Sequence, residues 1–195
     1  LESRLLKKYE AIIARKAKLL AMNEKDKFTY QKIFSAKTIE FLPAFLPVTE
    51  VQSPTGNGNY CLYHGNLSVA ENEKAALWLL RNVFNELDLP FIVAGKNPSP
   101  SLIKEANQNK NAQLIENPNH EKMEELIKNA QIHLLPSFNT TGIKIKLLIA
   151  LFKGRFIITN ADALEGTGLE SLCCKAETSS DYISRIKEIF KIPFK

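Results

Sequence analysis

The sequence predicts an α/β protein built on a doubly wound parallel sheet, and two patterns carry that prediction. From Tyr60 onward, apolar runs of about four to six residues alternate with helical patterns of roughly ten to sixteen, the rhythm of successive βα units. The runs are apolar throughout instead of at every second residue, as expected of strands covered by helices on both faces. The handedness of parallel crossovers then favours a Rossmann-like arrangement.

Leu5, Leu6, Tyr9, Ile12 and Ile13 recur at helical spacing, so residues 2–16 read as an amphipathic helix with Lys7, Lys8, Arg15 and Lys16 on its wet side. A strand over Ala17–Met22, a helix over Glu24–Phe34 and a strand over Thr38–Leu42 follow. Pro43, Pro47, Pro54 and the stretch Thr55-Gly56-Asn57-Gly58-Asn59 make an extended, turn-rich connection. A domain boundary is placed there, dividing residues 1–50 from residues 51–195. Two short strands and two helices cannot close a sheet of their own, so residues 1–50 read as a fragment of something larger.

In the second part the expected strands are Tyr60–His64, Phe91–Ala94, Ala112–Ile115, Ile132–Leu135, Phe156–Thr159 and Leu172–Lys175. The expected helices are Glu71–Leu87, Ser99–Asn107, His120–Asn129, Gly142–Lys153 and Asp181–Phe190. Ser68-Val69-Ala70-Glu71 has the spacing of a capping box opening the first of these.

Composition sets further bounds. With 195 residues, 45% of them hydrophobic, the chain can bury a full core without a metal or disulfide staple. The cysteines are Cys61, Cys173 and Cys174; neither a disulfide framework nor a C-x-x-C metal spacing can be built from them, and a reducing cytoplasm is the simplest setting. No apolar run approaches the roughly 20 residues of a membrane span, and no signal-peptide core is present, so a soluble protein without an integral membrane segment is expected. Of 26 Lys and Arg, ten lie in residues 1–50, against six of the 21 Asp and Glu. These lysines alternate with acids and carry no aromatic interleaving, which fits a solvated helix face and argues against nucleic acid as a partner.

Ligands of open α/β sheets bind beyond the carboxyl ends of the strands. The segments there are His64-Gly65-Asn66-Leu67-Ser68, Gly95-Lys96-Asn97-Pro98, Glu116-Asn117-Pro118, Pro136-Ser137-Phe138-Asn139-Thr140-Thr141-Gly142, and Asn160-Ala161-Asp162 followed by Glu165-Gly166-Thr167-Gly168. They are rich in Gly, Asn, Ser and Thr and poor in paired carboxylates, which suits cradling an anion more than acid/base chemistry. The loop Ser137–Gly142 leads into a helix whose first turn is expected to hold Lys144, with Lys146 following. Cations there oppose the helix dipole, and an anion on the amides of Gly142 and Ile143 would reconcile them; the plain alternative is a Lys144 pointing into water.

Other chemistries lack their residues. Gly56 and Gly58 precede the first strand, and Gly166-x-Gly168 lacks a third glycine, so a dinucleotide fingerprint is not met. No phosphate-binding G-x-x-x-x-G-K-[ST] loop and no G-x-S-x-G elbow occurs. His64, His120 and His133 have no partners at ligand spacing, so no metal is expected. His133 and Trp78 read as core residues, while His64 beside Gly65 is a candidate ligand contact.

The strand-end residues resemble the carboxyl-terminal, donor-binding domain of retaining GT-B glycosyltransferases, a large family that includes bacterial mannosyltransferases and sucrose-phosphate synthases. The matching pieces are Tyr63-His64-Gly65-Asn66-Leu67 with Glu71-Asn72, then Phe91 to Pro98, Ile132 to Ser137, Gly142 to Arg155, and Glu165-Gly166. They run in order through roughly residues 58–170. Residues 1–50 resemble the tail of the family's amino-terminal acceptor domain entering the interdomain linker.

The resemblance implies half of a GT-B fold that takes a nucleotide-diphosphate sugar as co-substrate, with no further cofactor. The partners it implies are a glycan or lipid-linked acceptor and the protein's own N-terminal domain, and the reaction transfers a hexose, mannose among the candidates, with retention. The amides of Gly142 and Ile143 would hold the diphosphate, with Lys144 or Lys146 near it. Gly65 and Asn66 would border the sugar-phosphate, residues Leu114 to Asn117 would meet the base, and Lys96, Ser137, Thr141, Glu165 and Gly166 complete the expected binding set; catalytic residues are left unassigned. Thr141 and Ile149 stand where the family commonly carries two glutamates eight positions apart, and Asn66 stands where many members have a basic residue. Two alternatives remain open, a catalytically degenerate Rossmann-like interaction module and a GT-B-like nucleotide-sugar epimerase that would draw on Asp162 and Glu165.

Overall fold

The computed structural model describes residues 2–46, 48, 50–140 and 144–195. The chain divides into two compact units, with the division between Pro47 and Val48.

The first unit contains α1 (Glu2–Lys16), β1 (Leu19–Ala21), α2 (Glu24–Phe34) and β2 (Ile39–Phe41). β1 and β2 pair in parallel, Leu19 against Ile39. Asn23 starts α2 by accepting the Lys25 and Asp26 amides on its side-chain oxygen, at 2.7 and 3.2 Å. Ser35 ends it in the left-handed region at φ 52°. Both strands are shorter than the sequence pattern suggests, because only three residues of each find a ladder partner.

The second unit is a six-stranded, wholly parallel sheet. Its strands are β3 (Tyr60–Asn66), β4 (Phe91–Lys96), β5 (Ala112–Glu116), β6 (Ala130–Leu134), β7 (Phe156–Thr159) and β8 (Cys174–Lys175). Between them run α3 (Ala70–Asn82), α4 (Pro100–Gln108), α5 (His120–Asn129), α6 (Ile145–Lys153) and α7 (Ala161–Leu164), and α8 (Ser179–Ile189) closes the unit. The order β5-β4-β3-β6-β7-β8 means that the chain winds one way from β3 and then returns to wind the other way from β6. The doubly wound expectation is therefore met.

Alternate residues of the central strands enter different cores, as the two-residue period of a strand requires. Tyr63, Phe91 and Val93 join Leu79, Phe84, Leu102, Tyr182 and Ile186 on one face. Leu62, Ile92 and Ala94 join Leu126 and Ile127 on the other. This two-sided burial explains why the strand runs are apolar throughout. A third cluster of Leu135, Leu147, Ala150, Ile157 and Leu164 seats α6 and α7.

Several local expectations are corrected. The capping box at Ser68–Glu71 does not form: Val69 caps α3 without a side-chain bond. Ser68 instead gives its amide and hydroxyl to Asn66 Oδ1, at 3.2 and 2.8 Å, a local turn that competes with helix capping. A capping box does open α8, where Thr178 and Asp181 exchange bonds. The first long helix ends at Asn82 instead of Leu87, and α6 starts at Ile145 with Lys144 as its cap. Only Cys174 and Lys175 of the expected last strand pair with β7, while Glu170–Leu172 form a 3-10 turn.

Candidate functional site

The reversal of winding between β3 and β6 places a crevice beyond the carboxyl ends of these strands, where sheets of this topology hold ligands. Beyond β6, Leu135, Pro136 and Ser137 continue the chain. Asn160, buried after β7, clamps the backbone of Ser137: its Oδ1 accepts the Ser137 amide at 2.9 Å and its Nδ2 donates to the Ser137 carbonyl at 2.6 Å. The Ser137 hydroxyl donates to the Asn139 carbonyl at 2.9 Å. Phe138 packs edge-on against Trp78, and Lys74 Nζ lies over the Phe138 ring, 4.8 Å from its centre. These contacts fix the course of the loop through residue 139.

Thr141, Gly142 and Ile143, central to the expected anion site, lie outside the described residues. On the far side of them, Lys144 caps α6 and Lys146 is the second residue of the helix. Lys146 is mostly buried. Its Nζ donates to Asn72 Oδ1 at 2.9 Å and to Tyr63 Oη at 3.0 Å, and lies 4.6 Å from the centre of the Tyr63 ring. Burial, with Lys144 nearby, pulls its ammonium down to about 8. Burial also lowers Lys144, against the opposing pull of Glu71 and Asp162.

At the head of β3, Gly65 lies beneath the Asn72 side chain, which would stand 3.4 Å from a Cβ at that position. Gly95 on β4 is tighter: a Cβ there would meet the Gly65 carbonyl oxygen at 1.9 Å. Beside this close approach a cleft of about 590 Å³ is lined by Gly65, Asn66, Gly95, Lys96, Pro118 and His120 among others. Three expected binding residues, Gly65, Asn66 and Lys96, thus share one cleft.

Asn117 stands at its rim in the left-handed conformation, φ 49°, its Oδ1 accepting the Asn97 amide at 2.9 Å. Its side chain therefore braces two strand-end loops. Glu165 and Gly166 are exposed beyond α7, Gly166 at φ 70° where glycine is favoured.

His64 is withdrawn from ligands. It is 5% exposed, its ring meets that of His133, and burial holds it neutral with a pKa pushed down to about 3. His133 is a core residue, as expected, whereas Trp78 is only partly buried and packs against the core from its margin. Ile149 packs against the cluster around Leu62 and Ile92, so the position belongs to the core beneath α6. Among the described residues, no three His, Cys, Asp or Glu side chains converge as a metal-ligand set. No helix there is long and apolar enough to cross a membrane.

Sequence reasoning missed the roles of Tyr63, Asn72 and Asn160. Tyr63 looks like any strand aromatic and Asn72 like any polar residue of a helix's first turn; only the fold brings them to Lys146. Asn160 had one signal, its place directly after a strand.

A parallel sheet wound both ways from β3 and β6 and flanked by helices matches in fold the Rossmann-like half of GT-B glycosyltransferases. Residues 58–191 match the family described as glycosyl transferases group 1, and the chain belongs to that family. Among solved structures it is similar to sucrose-phosphate synthase from Thermosynechococcus elongatus (TM-score 0.76, 13% identity, covering 98% of this chain and 53% of that one). It is also similar to S. aureus TarM in complex with Fondaparinux, α-GlcNAc-glycerol and UDP (TM-score 0.72, 11% identity, 94% and 39% covered). A third similar structure is a trehalose-6-phosphate synthase from work on glycosyl transfer with retention (TM-score 0.65, 6% identity, 89% and 53% covered). The chain thus spans about half or less of the length of these proteins. No functionally curated protein matches the sequence.

Proposed function

We propose that this chain is the donor-binding part of a glycosyltransferase that transfers a hexose from a nucleotide-diphosphate sugar to a glycan or lipid-linked acceptor with retention. The observation that carries this reading is Lys146: a mostly buried ammonium at the winding reversal whose hydrogen-bond partners among the described residues, Tyr63 and Asn72, are both neutral. An uncompensated buried cation is costly unless an anion joins it. A diphosphate at the reversal would meet Lys146 and Lys144, and the nucleoside would extend into the cleft bordered by Gly65, Asn66 and Lys96. As the anomeric bond breaks, negative charge grows on the leaving diphosphate, and preorganised cations stabilise that charge more than the ground state. UDP in the TarM complex and retention in the trehalose-6-phosphate synthase work support the donor class and the stereochemistry. The acceptor-side groups would come from an N-terminal domain, and cytoplasmic donor sugars would supply the reaction.

Titration calorimetry of the chain against UDP, GDP, ADP and CMP, with a Lys146→Glu control, tests this. Binding of one diphosphate class, lost in the control, is the expected result; equal affinity in wild type and control removes the site. A non-catalytic interaction module is the second reading, favoured by Ile149, whose partly buried apolar side chain packs against the core at a position where the family commonly has a glutamate. A protein that ignores all four nucleotides would support it.

A further inference from the structure

Asn72 occupies an unusual place in the site. Its Nδ2 donates to the Asn66 carbonyl at 2.9 Å while its Oδ1 accepts from Lys146 Nζ at 2.9 Å. The amide has one workable orientation, because the opposite one would set an N–H against the ammonium and an oxygen against a carbonyl. Tyr63 locks the same corner: its hydroxyl donates to the Asn72 carbonyl at 2.9 Å and accepts from Lys146 at 3.0 Å. Burial raises the Tyr63 phenol, so it stays protonated. Both acceptors of the lysine among the described residues are therefore neutral. Lys153, also on α6, is bonded to the carboxylate of Glu124, so the helix uses a neutralised lysine elsewhere and not here.

We propose that Asn72 is a positioning residue of the donor site: it ties the Lys146 ammonium to the β3–α3 turn while leaving its charge for an incoming diphosphate. This deepens the functional reading above and rests on it for the ligand. Aspartate at position 72 would keep the shape but supply a counter-charge and delete the donor to Asn66. Leucine would delete both bonds without adding charge.

The charged and titratable groups around the lysine are Lys144 on the same segment, Tyr63 and His64 on β3, and Glu71 and Asp162, which act on Lys144. His64 stays neutral down to about pH 3 and Tyr63 stays protonated, which leaves the two lysines, both lowered by burial, as the groups here whose charge declines above neutrality. The Lys146 midpoint near 8 has a defined sign: the charge available to an anion declines as pH rises from 7 to 9.

The experiment pairs two measurements on the full chain. Lys146 ε-methylene resonances, assigned with Lys146→Gln, are titrated by NMR in wild type, Asn72→Asp and Asn72→Leu; affinities for inorganic pyrophosphate and for the four nucleotides are measured at pH 7 and pH 9. The expected wild-type midpoint lies near 8, with affinity about tenfold weaker at pH 9. In Asn72→Asp the midpoint moves upward by at least one pH unit, and affinity at pH 7 falls about tenfold although the lysine is more fully charged. A merely structural asparagine would weaken binding alike in Asn72→Asp and Asn72→Leu, whatever the lysine midpoint does. A wild-type midpoint at the ordinary lysine value, or an Asn72→Asp protein that binds as wild type does, overturns this inference alone. Absence of binding in the wild type overturns the donor-site reading and this inference with it.

Discussion

The imidazole rings of His64 and His133 meet edge to face, 5.9 Å between centres, on the sheet face shared with Leu62. Neither His133 nitrogen nor His64 Nε2 makes a hydrogen bond of good geometry among the described residues, although the Ile127 backbone acts on the His133 ring and partly offsets its burial. The pair is an apolar packing element made of titratable groups, held neutral by burial at pKa values of about 3 and about 4.

Stability should therefore fall in mild acid. Both histidines have folded-state pKa values below the unfolded value of about 6.5, so their neutral forms favour folding fully above that pH. As pH drops below about 6.5, each proton-binding imidazole favours the unfolded chain by about 1.4 kcal/mol per pH unit. Urea unfolding at pH 7 and pH 5 should show this loss, and native-state NMR should find neither ring titrating above pH 5. A native titration near 6.5 for either ring would contradict the burial.

Gly154→Ala should be strongly destabilising. A Cβ there would lie 2.2 Å from His133 Nε2 and 2.8 Å from the Ala150 carbonyl oxygen, and neither a packed core ring nor helix backbone can retreat freely. Overpacking of this kind costs about 1–3 kcal/mol. A shifted urea midpoint with an unchanged m-value is the expected signature.

Gly95→Ala should act on the cleft. The added methyl would strike the Gly65 carbonyl oxygen and Leu67, prising β3 from β4 at their carboxyl ends. Faster exchange of the Leu67 amide, which donates to the Lys96 carbonyl at 2.9 Å across these strands, should accompany weaker nucleotide binding.

Asn160→Leu should loosen the loop after β6. It removes both side-chain bonds to the Ser137 backbone, leaving an amide and a carbonyl without partners at a cost of about 1–3 kcal/mol. Exchange protection at the Ser137 amide should be lost first, ahead of global unfolding.

Phe84→Ala should cost about 3–5 kcal/mol. Phe84 and Phe91 stack with ring centres 3.9 Å apart and 2° between planes, joining the turn that follows α3 to the start of β4. Calorimetry should show a lower melting temperature with unaltered nucleotide affinity, since neither ring lines the cleft.

The architecture was legible because two-sided burial writes long apolar runs into the strands, as at Phe91–Ala94. α5 and β7 have the predicted bounds. Ends were less legible wherever a polar side chain chose between partners: Ser68 could cap a helix or bond Asn66, and only tertiary context selects the latter. α7, four residues long, is too short to show a period. For the site, Gly65, Asn66 and Lys96 were legible as strand-end residues, whereas the Lys146 pocket depends on contacts 83 and 74 positions apart in sequence, which no local pattern encodes.

The antiparallel bridge between Gly56 and Phe194, with bonds of 2.8 and 2.9 Å, fastens the segment leading into β3 to the one following α8. Arg155 adds a bond to the Gly56 carbonyl, and Phe156 packs against the Phe194 ring. The second unit is thus laced shut at a single seam, and cutting either thread loosens both. Removing the last residues would unfasten the approach to the central strand at Gly56, 138 positions upstream of Phe194 in the chain but bonded to it in space, so damage at one margin would be felt at the middle of the sheet.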